Sequence, residues 1–534
     1  MKKITGIIIK GLRARLTLVC YIVLSLGAGF LLLYANGLLA RVLNDYLLVQ
    51  NFDGFALRLI ITIVLFALVF GLNMLGGYLR FDFQYSALSR LARHYIALLL
   101  RAKNSYFTNR SSAELFTKLF QSSEGVGFFV ASVLSFVSYG IVFIFYGIIV
   151  FRLDIWAGIF SVIATPLYFL ATVKAGNGLS DLTHERMVLD GEMSTVTQEA
   201  FENVGNVKAK GAYAFFAARS AAVLRKIKRT TVRLEMLDAY ISNITVLVRI
   251  IAPLLIILAA MQFSPDFVGG AGNIMVLYIN IPLFLGNFAN IHEQYIEYKA
   301  TKPFLSQLRE FDDVELESEG GVEITAFESL RTDSVKVTFD GGRIISVPDF
   351  EVKKSEKVMF FGESGIGKST IFNIIMGLIT EYDGSIFING INLREVSFAS
   401  LRKVFGITFQ NTKAITLDLR ENILLGASIT DDKLERLIRL TALESQHDTK
   451  GDAPLNNKVL SGGEKSRIGL SQTLVTDPEI MLIDEAFSNM DEALESKIIA
   501  DLFHEYPNRA VICISHRNSS KIFFDRVVDF NVLV

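Results

Sequence analysis

Cysteine is almost absent from this chain, with two residues in 534: Cys20 inside an apolar run and Cys513 inside an apolar stretch that reads as a buried strand. Two residues so placed exclude a disulfide framework and a cysteine-built metal cluster, and both read as packing residues. A surplus of either charge is also missing, since 53 basic residues face 54 acidic ones and the net charge is -1. A phosphate-binding surface leaves a basic excess, so no nucleic acid is expected among the partners. Charge of any sign is scarce at 20%, against 51% hydrophobic residues and a mean hydropathy of +0.41. That apolar excess lies before residue 300 and is outside the usual soluble balance. The start also lacks a convincing small-residue cleavage site. Leu16 to Ala40 runs without a charge and is longer than a signal h-region, so it reads as a retained first span.

Spanning the hydrocarbon takes about 20 apolar residues in a helix. Six segments qualify: Leu16 to Ala40, Leu59 to Leu79, Gly125 to Val150, Ile155 to Val173, Ala239 to Met261 and Asn273 to Ile291. Only the fifth contains a charge, Arg249. Lys2, Lys3, Lys10, Arg13 and Arg15 precede the first span, and further basic residues crowd the connections between spans two and three and between spans four and five. Basic residues stay on the cytoplasmic side, so both termini are expected there. The two basic connections are long and carry helical periodicity, as in Leu182, Met187, Leu189, Met193, Val196 and Ala200. Spans two to five are therefore expected to continue as helices into the cytoplasm, turning at Tyr106 to Ala113 and Asn206 to Phe215. The expected organisation is an all-α polytopic membrane domain over 1–305, an acidic linker over 306–321, and an α/β domain over 322–534.

In that last region Val358-Met-Phe-Phe361 reads as a buried strand running into Gly362-Glu-Ser-Gly-Ile-Gly-Lys-Ser369, with Thr370 opening a helix. Strand, glycine-rich loop and helix form the context of a Walker A phosphate loop. Gly362, Ser364, Gly365, Gly367 and Thr370 fall in the backbone cradle, Lys368 suits the β and γ phosphates of ATP, and Ser369 suits Mg2+. A second apolar strand, Ile480 to Ile483, delivers Asp484 for the Mg2+ and Glu485 as general base toward the attacking water.

Leu460-Ser-Gly-Gly-Glu464, standing before that strand, resembles the signature motif of the ATP-binding cassette (ABC) transporter superfamily. The resemblance covers almost the whole length: six spans followed in one polypeptide by a cassette are similar to exporter-type half-transporters. It implies that Ser461, Gly462 and Gly463 complete the nucleotide site of a partner subunit. It also implies that Gln410 is the Q-loop residue near Mg2+, Asp491 the D-loop aspartate, and His516 the switch histidine. Phe339 occupies the place of the aromatic that stacks on adenine, or is strand core. His94, His184, His292, His447 and His504 read as surface or satisfied core residues.

Three departures accompany the resemblance: Phe rather than Tyr at the adenine position, Glu464 rather than Gln in the signature, and no Thr-x-Val-Gly-Glu pattern in residues 451–457. One Walker A loop and one signature per chain imply a dimer, with an identical partner ahead of a different one. No leader-cleaving peptidase domain is expected before the first span. The function expected is ATP-driven export of an amphipathic substrate by alternating access, a peptide ahead of a drug or lipid. The alternatives are a lipid or drug translocator and a non-transporting ATP-gated sensor or channel. Arg249, with Asn280 and Asn287, is the candidate substrate contact, because a mid-span charge is costly unless it faces a cavity or a partner. Interhelical hydrogen bonding is the other reading of these residues.

Overall fold

The computed structural model describes residues 6–8, 12–43, 54–108, 110–263, 271–318, 320–339, 342–446, 453–455 and 460–533. Lys2, Lys3, Lys10, His447 and most of residues 451–457 lie outside them. Cα packing separates two units, Met1–Ala102 with Asn109–Glu315 and Lys103–Thr108 with Leu316–Val534.

The first unit is helical. Its elements are α1 (Leu12–Arg41), α2 (Phe55–Leu99), α4 (Ser112–Leu153), α5 (Ile155–Glu202), α6 (Val204–Ala209), α7 (Tyr213–Phe263) and α8 (Ala271–Asp312), with α3 (Ser105–Thr108) grouped in the second unit. Among the described residues six helices are long and apolar enough to cross a membrane. A helix rises 1.5 Å per residue, so the 45 residues of α2 and the 51 of α7 reach about twice the ~30 Å hydrocarbon thickness. Spans two to five thus continue as unbroken helices, and the short α3 and α6 fall within or beside the two turns expected from sequence. On the other side, α4 and α5 are separated by Asp154 alone, whose carboxylate caps α5 by accepting from Ala157 N at 2.7 Å. One difference from the sequence reading concerns the linker: α8 stays helical through Asp312, because Leu308 and Phe311 are fully buried and carry the apolar face past residue 305.

Helix contacts here combine close packing with polar pairs. A Cβ on Gly176 would lie 2.6 Å from Ile296, so α5 and α8 approach closely at that point. Tyr168 pairs with Thr245 at 2.7 Å, Thr172 with His292 at 3.1 Å, and Ser122 donates to Gln307 at 2.7 Å. Such pairs contribute where lipid removes the hydrophobic drive for helices to associate.

The second unit carries two sheets. An antiparallel one is ordered β2 (Ile344–Ser346), β1 (Ser329–Thr338), β5 (Asp383–Ile388), β6 (Ile391–Asn392), with β3 (Glu351–Lys353) also on β1. A parallel one is ordered β10 (Arg526–Asp529), β4 (Lys357–Phe361), β9 (Ala510–Ile514), β8 (Ile480–Asp484), β7 (Phe405–Thr408). Strands β8 and β9 are buried at every position, which is why their sequences are continuous apolar runs rather than alternating ones. The helices are α9 (Lys368–Ile375), α10 (Phe398–Val404), α11 (Leu419–Leu424), α12 (Asp431–Leu440), α13 (Gly462–Val475) and α14 (Glu492–Glu505). Ligands of open parallel sheets bind beyond the carboxyl ends of the strands. Strand β4 delivers the loop 362–367 there, and β8 delivers Asp484 and Glu485.

Candidate functional site

The loop after β4 closes on itself through its own lysine. Lys368 is buried, and its Nζ donates to the carbonyls of Gly362 and Glu363, both at 2.7 Å. Gly365 and Gly367 take φ values of +81° and +114°, and a Cβ on Gly367 would meet Ile345 at 2.2 Å. The loop therefore requires glycine both for its backbone and for its space. Ser364 is exposed at the rim, and Thr370 N donates to Gly367 O at 3.1 Å in the first turn of α9. Arg343 Nη2, not singled out from sequence, donates to Gly365 O at 2.6 Å and braces the loop from outside.

Two carboxylates face this loop. Ser369 Oγ donates to Asp484 Oδ1 at 2.8 Å. Burial pushes the Asp484 carboxyl up to about 6; the Ser369 hydrogen bond and the Lys368 charge oppose the rise and the Glu485 charge adds to it. Burial also lowers the Lys368 ammonium pKa, against the pull of Glu485 and Asp484. Glu485 stands at φ +48°, a left-handed backbone conformation that bulky residues rarely take. Its carboxylate is held from both sides: Gln410 Nε2 donates to Oε2, and His516 Nε2 lies against Oε1, each at 2.6 Å. Three residues 31 to 106 positions apart thus meet because β7, β8 and β9 end side by side.

A further group surrounds the start of α13. Ser461 caps that helix in a capping box: Ser461 Oγ accepts from Glu464 N at 3.2 Å, and Glu464 Oε2 accepts from Ser461 N at 2.6 Å. A glutamate suits this reciprocal arrangement as well as a glutamine does. Gly462 and Gly463 lie against Asn489, where a Cβ would come within 3.0 Å and 2.9 Å of its atoms. Asp491 caps α14 by accepting from Leu494 N at 2.9 Å. Phe339 is 39% exposed just beyond β1, so it is not strand core.

The family models match in the same two regions. The ABC transporter model covers residues 345–488, and the ABC transporter transmembrane region model covers residues 18–288, half of the chain. The chain belongs to the ABC transporter family. This ABC transporter is 24% identical over 452 residues to the ATP-dependent lipid A-core flippase 2 of Colwellia psychrerythraea, covering 81% of this chain and 76% of that protein. It is 30% identical over 201 residues to the mitochondrial iron-sulfur clusters transporter ABCB7 of Danio rerio, a match spanning 36% of this chain and 27% of that one. Its fold matches a bacterial Atm1-family ABC exporter solved with ATP bound, with a TM-score of 0.81 at 20% identity over 97% of this chain and 93% of that one. With one membrane domain and one cassette, the transporter has half-transporter architecture. It is an integral membrane ATP hydrolase coupled to transport, using ATP with Mg2+.

The loop and the acids fit that nucleotide. Asp484 is a buried carboxyl held above its ordinary range with a hydroxyl beside it, a donor set suited to a hard divalent cation. The sequence reading missed what ties the end of β9 to the segment before α14. Arg517, next to His516, donates to the carbonyls of Met490 at 2.7 Å and Ser488 at 3.1 Å and pairs with Glu495, which is 1% exposed. A basic residue directly after His516 was the available signal.

The candidate substrate residues do not gather into one place. Arg249 is exposed on α7 and donates from Nη2 to Asn290 Oδ1 at 3.2 Å, and it does not line the cavity of about 390 Å3 between α1, α2 and α4. Asn280 is fully buried and donates to Val276 O one turn back at 2.8 Å, so it packs between helices rather than facing a cavity. Asn287 lines that cavity.

Proposed function

We propose that the chain is one half of a dimeric exporter, an identical copy being the preferred partner, that moves an amphipathic substrate across a bacterial cytoplasmic membrane with both termini inside. The observation that carries the engine is the Glu485 carboxylate held between Gln410 and His516 beside the Ser369–Asp484 pair. In this reading Glu485 takes a proton from the attacking water, while His516 Nε2 fixes and later relieves that carboxylate. Gln410 reports closure from the same carboxylate. Lys368 leaves the carbonyls of Gly362 and Glu363 for the β and γ oxygens, and the amides of Gly365, Gly367 and Thr370 cradle the phosphate chain. Ser369 and Asp484 hold the cation, and Phe339 stacks on the base. ATP with Mg2+, when bound, supplies the phosphoryl group and neutralises charge developing on it.

Ser461, Gly462 and Gly463 present a capped helix N-terminus to the partner subunit's nucleotide, with Asp491 beside them. In this reading the turns at α3 and α6 pass closure to the helices. Closing of two cassettes biases the membrane helices toward one of two states, and hydrolysis resets them. Lipid translocation is a second reading of the same cycle, favoured by the flippase name of the relative matched over 81% of this chain. The test is Mg-ATPase and ATP-dependent substrate accumulation by the full chain in nanodiscs and vesicles, against Glu485→Gln. Activity lost with the substitution supports a homodimer competent alone. A folded wild type without activity overturns the homodimer.

A further inference from the structure

A cavity of about 390 Å3 in the membrane domain is built from one face of each of three helices, with Asn287 of α8 completing the lining. Helix α2 contributes Val69, Leu72, Asn73, Gly76, Gly77 and Arg80, at helical spacings of three, four, seven, eight and eleven. Helix α1 contributes Tyr21, Ser25, Ala28, Gly29 and Leu32 with the same periodicity, and α4 contributes Ser135, Ser138, Tyr139, Val142 and Tyr146. The glycines open the space, and the lining is graded along its length. At one end Arg80 Nη1 donates to Ser135 Oγ at 2.7 Å and Ser138 Oγ to Ser25 Oγ at 3.2 Å. At the other end Leu32, Val69 and Tyr146 belong to one buried apolar cluster, with Val142 against it.

Arg80 is the first charge after the uncharged run Leu59 to Leu79, and it is only half satisfied. Its Nε is buried with no hydrogen-bond partner. Its guanidinium rests 4.6 Å from the Phe81 ring centroid. Among the described residues no carboxylate lies within ion-pair distance of it. A guanidinium lining a cavity with an unused donor, no counter-charge and hydroxyls around it is complementary to an oxyanion, whose paired oxygens match its planar fork.

We propose that this cavity binds the anionic head of an amphiphile, a phosphate or carboxylate held by Arg80 with Ser135, Ser138 and Ser25, while the apolar part lies toward Leu32, Val69 and Val142. The proposal deepens the exporter reading by naming the substrate class, and it rests on that reading only for the claim that the bound molecule is transported.

The test uses the full chain in nanodiscs with four probes: dodecyl phosphate, dodecanoate, dodecanol and inorganic phosphate. Equilibrium binding is measured on Glu485→Gln without nucleotide, and stimulation of Mg-ATPase on the otherwise unaltered chain. Dodecyl phosphate or dodecanoate is expected to bind, with the preferred one identifying the head, and dodecanol and inorganic phosphate are expected to bind far more weakly. Arg80→Gln is expected to weaken binding about tenfold or more, the loss of a charged hydrogen bond, with Arg80→Lys between the two. Because a Cβ on Gly77 meets nothing within 4 Å and Gly77 lines the cavity, Gly77→Val extends into that space and is expected to abolish binding in a folded protein. Equal binding of dodecanol, binding of inorganic phosphate alone, or affinity unchanged by Arg80→Gln and Gly77→Val each overturns the proposal. ATPase that depends on Glu485 in those same samples leaves the exporter reading standing, so the two failures are distinguishable.

Discussion

In the cassette, polar side chains find other polar side chains far away in sequence: Ser369 with Asp484, Gln410 and His516 with Glu485, Arg517 with Glu495. In the membrane helices Asn36, Asn280 and Asn287 each donate to a carbonyl four residues back on the same helix, as Thr62 and Ser132 do. A bond to one's own backbone satisfies a donor in hydrocarbon at little cost and specifies nothing about the neighbours. Cassette polarity therefore builds a fixed geometry, whereas most membrane polarity is self-contained. Arg80 differs from these residues: it reaches across to Ser135 and keeps its Nε unpartnered beside a cavity.

The largest expected effect tests whether the cassette pairs act as one unit. His516→Ala removes the group that holds Glu485, and Mg-ATPase should fall about 100-fold, the lower range for losing a general acid–base device. Combined with Glu485→Gln it should cost little more, because parts of one device are not additive. Losses that multiply would break the comparison, since they would mean that the two residues work separately despite their 2.6 Å contact.

Next in size is the Arg517 anchor. Arg517→Ala leaves Glu495 buried without its cation, keeping only the Ser520 hydrogen bond at 2.7 Å. The expected destabilisation is about 3 kcal/mol, read as a lowered thermal midpoint of the full chain. Arg517→Ala with Glu495→Leu should recover much of it, because the orphaned charge is then gone. No recovery would move the role of Arg517 to its bonds with the Ser488 and Met490 carbonyls.

The same contrast explains what could be read in advance. Short motifs place the loop 362–369, the start of α13 and His516 beside their strand ends and helix starts because each group sits at a fixed offset from such an end, so local sequence carries that geometry. The six spans were legible for the same reason, each being a continuous uncharged run. The cavity was not, because its lining comes from four helices spread along the sequence, and Arg80 reads in isolation as another basic residue after a span. Arg249 stood out as the sole charge inside a span. Yet three-dimensional packing turns it to Asn290 rather than to the cavity. The helical reach of α8 to Asp312 was hidden by the acidic residues around Leu308 and Phe311, whose burial only packing reveals.

A smaller effect sharpens the account of Asp484. A carboxyl whose pKa the fold raises contributes its stability in full below its unfolded value near 3.8 and loses that contribution as pH rises through about 6. In chelator and without nucleotide, Asp484→Asn should therefore raise the thermal midpoint at neutral pH by an amount corresponding to about 2 kcal/mol. The advantage should shrink as pH falls through about 6 and be absent below the unfolded value. An advantage independent of pH would assign it to shape rather than charge.

The smallest effect is expected at the residue that sequence made most conspicuous. Arg249 is exposed, has Asn290 as a neutral partner at 3.2 Å, and stands within 3.0 Å of the position a Cβ would take on Gly286. Its guanidinium thus lies along α8 at a helix–helix contact, and Arg249→Gln keeps a donor for Asn290 at the cost of one exposed, screened interaction. Binding of an anionic amphiphile should change by less than about twofold, a few tenths of a kcal/mol, whereas Arg80→Gln should change it about tenfold. The two substitutions remove the same charge from the same membrane domain, so the ratio of their effects isolates position from charge. A ratio near one would show that the membrane field as a whole draws the anion in. A ratio near ten would show that the cavity end where Arg80 meets Ser135 does so, and that burial with unused donors, rather than charge inside a span, marks a binding residue in a membrane helix.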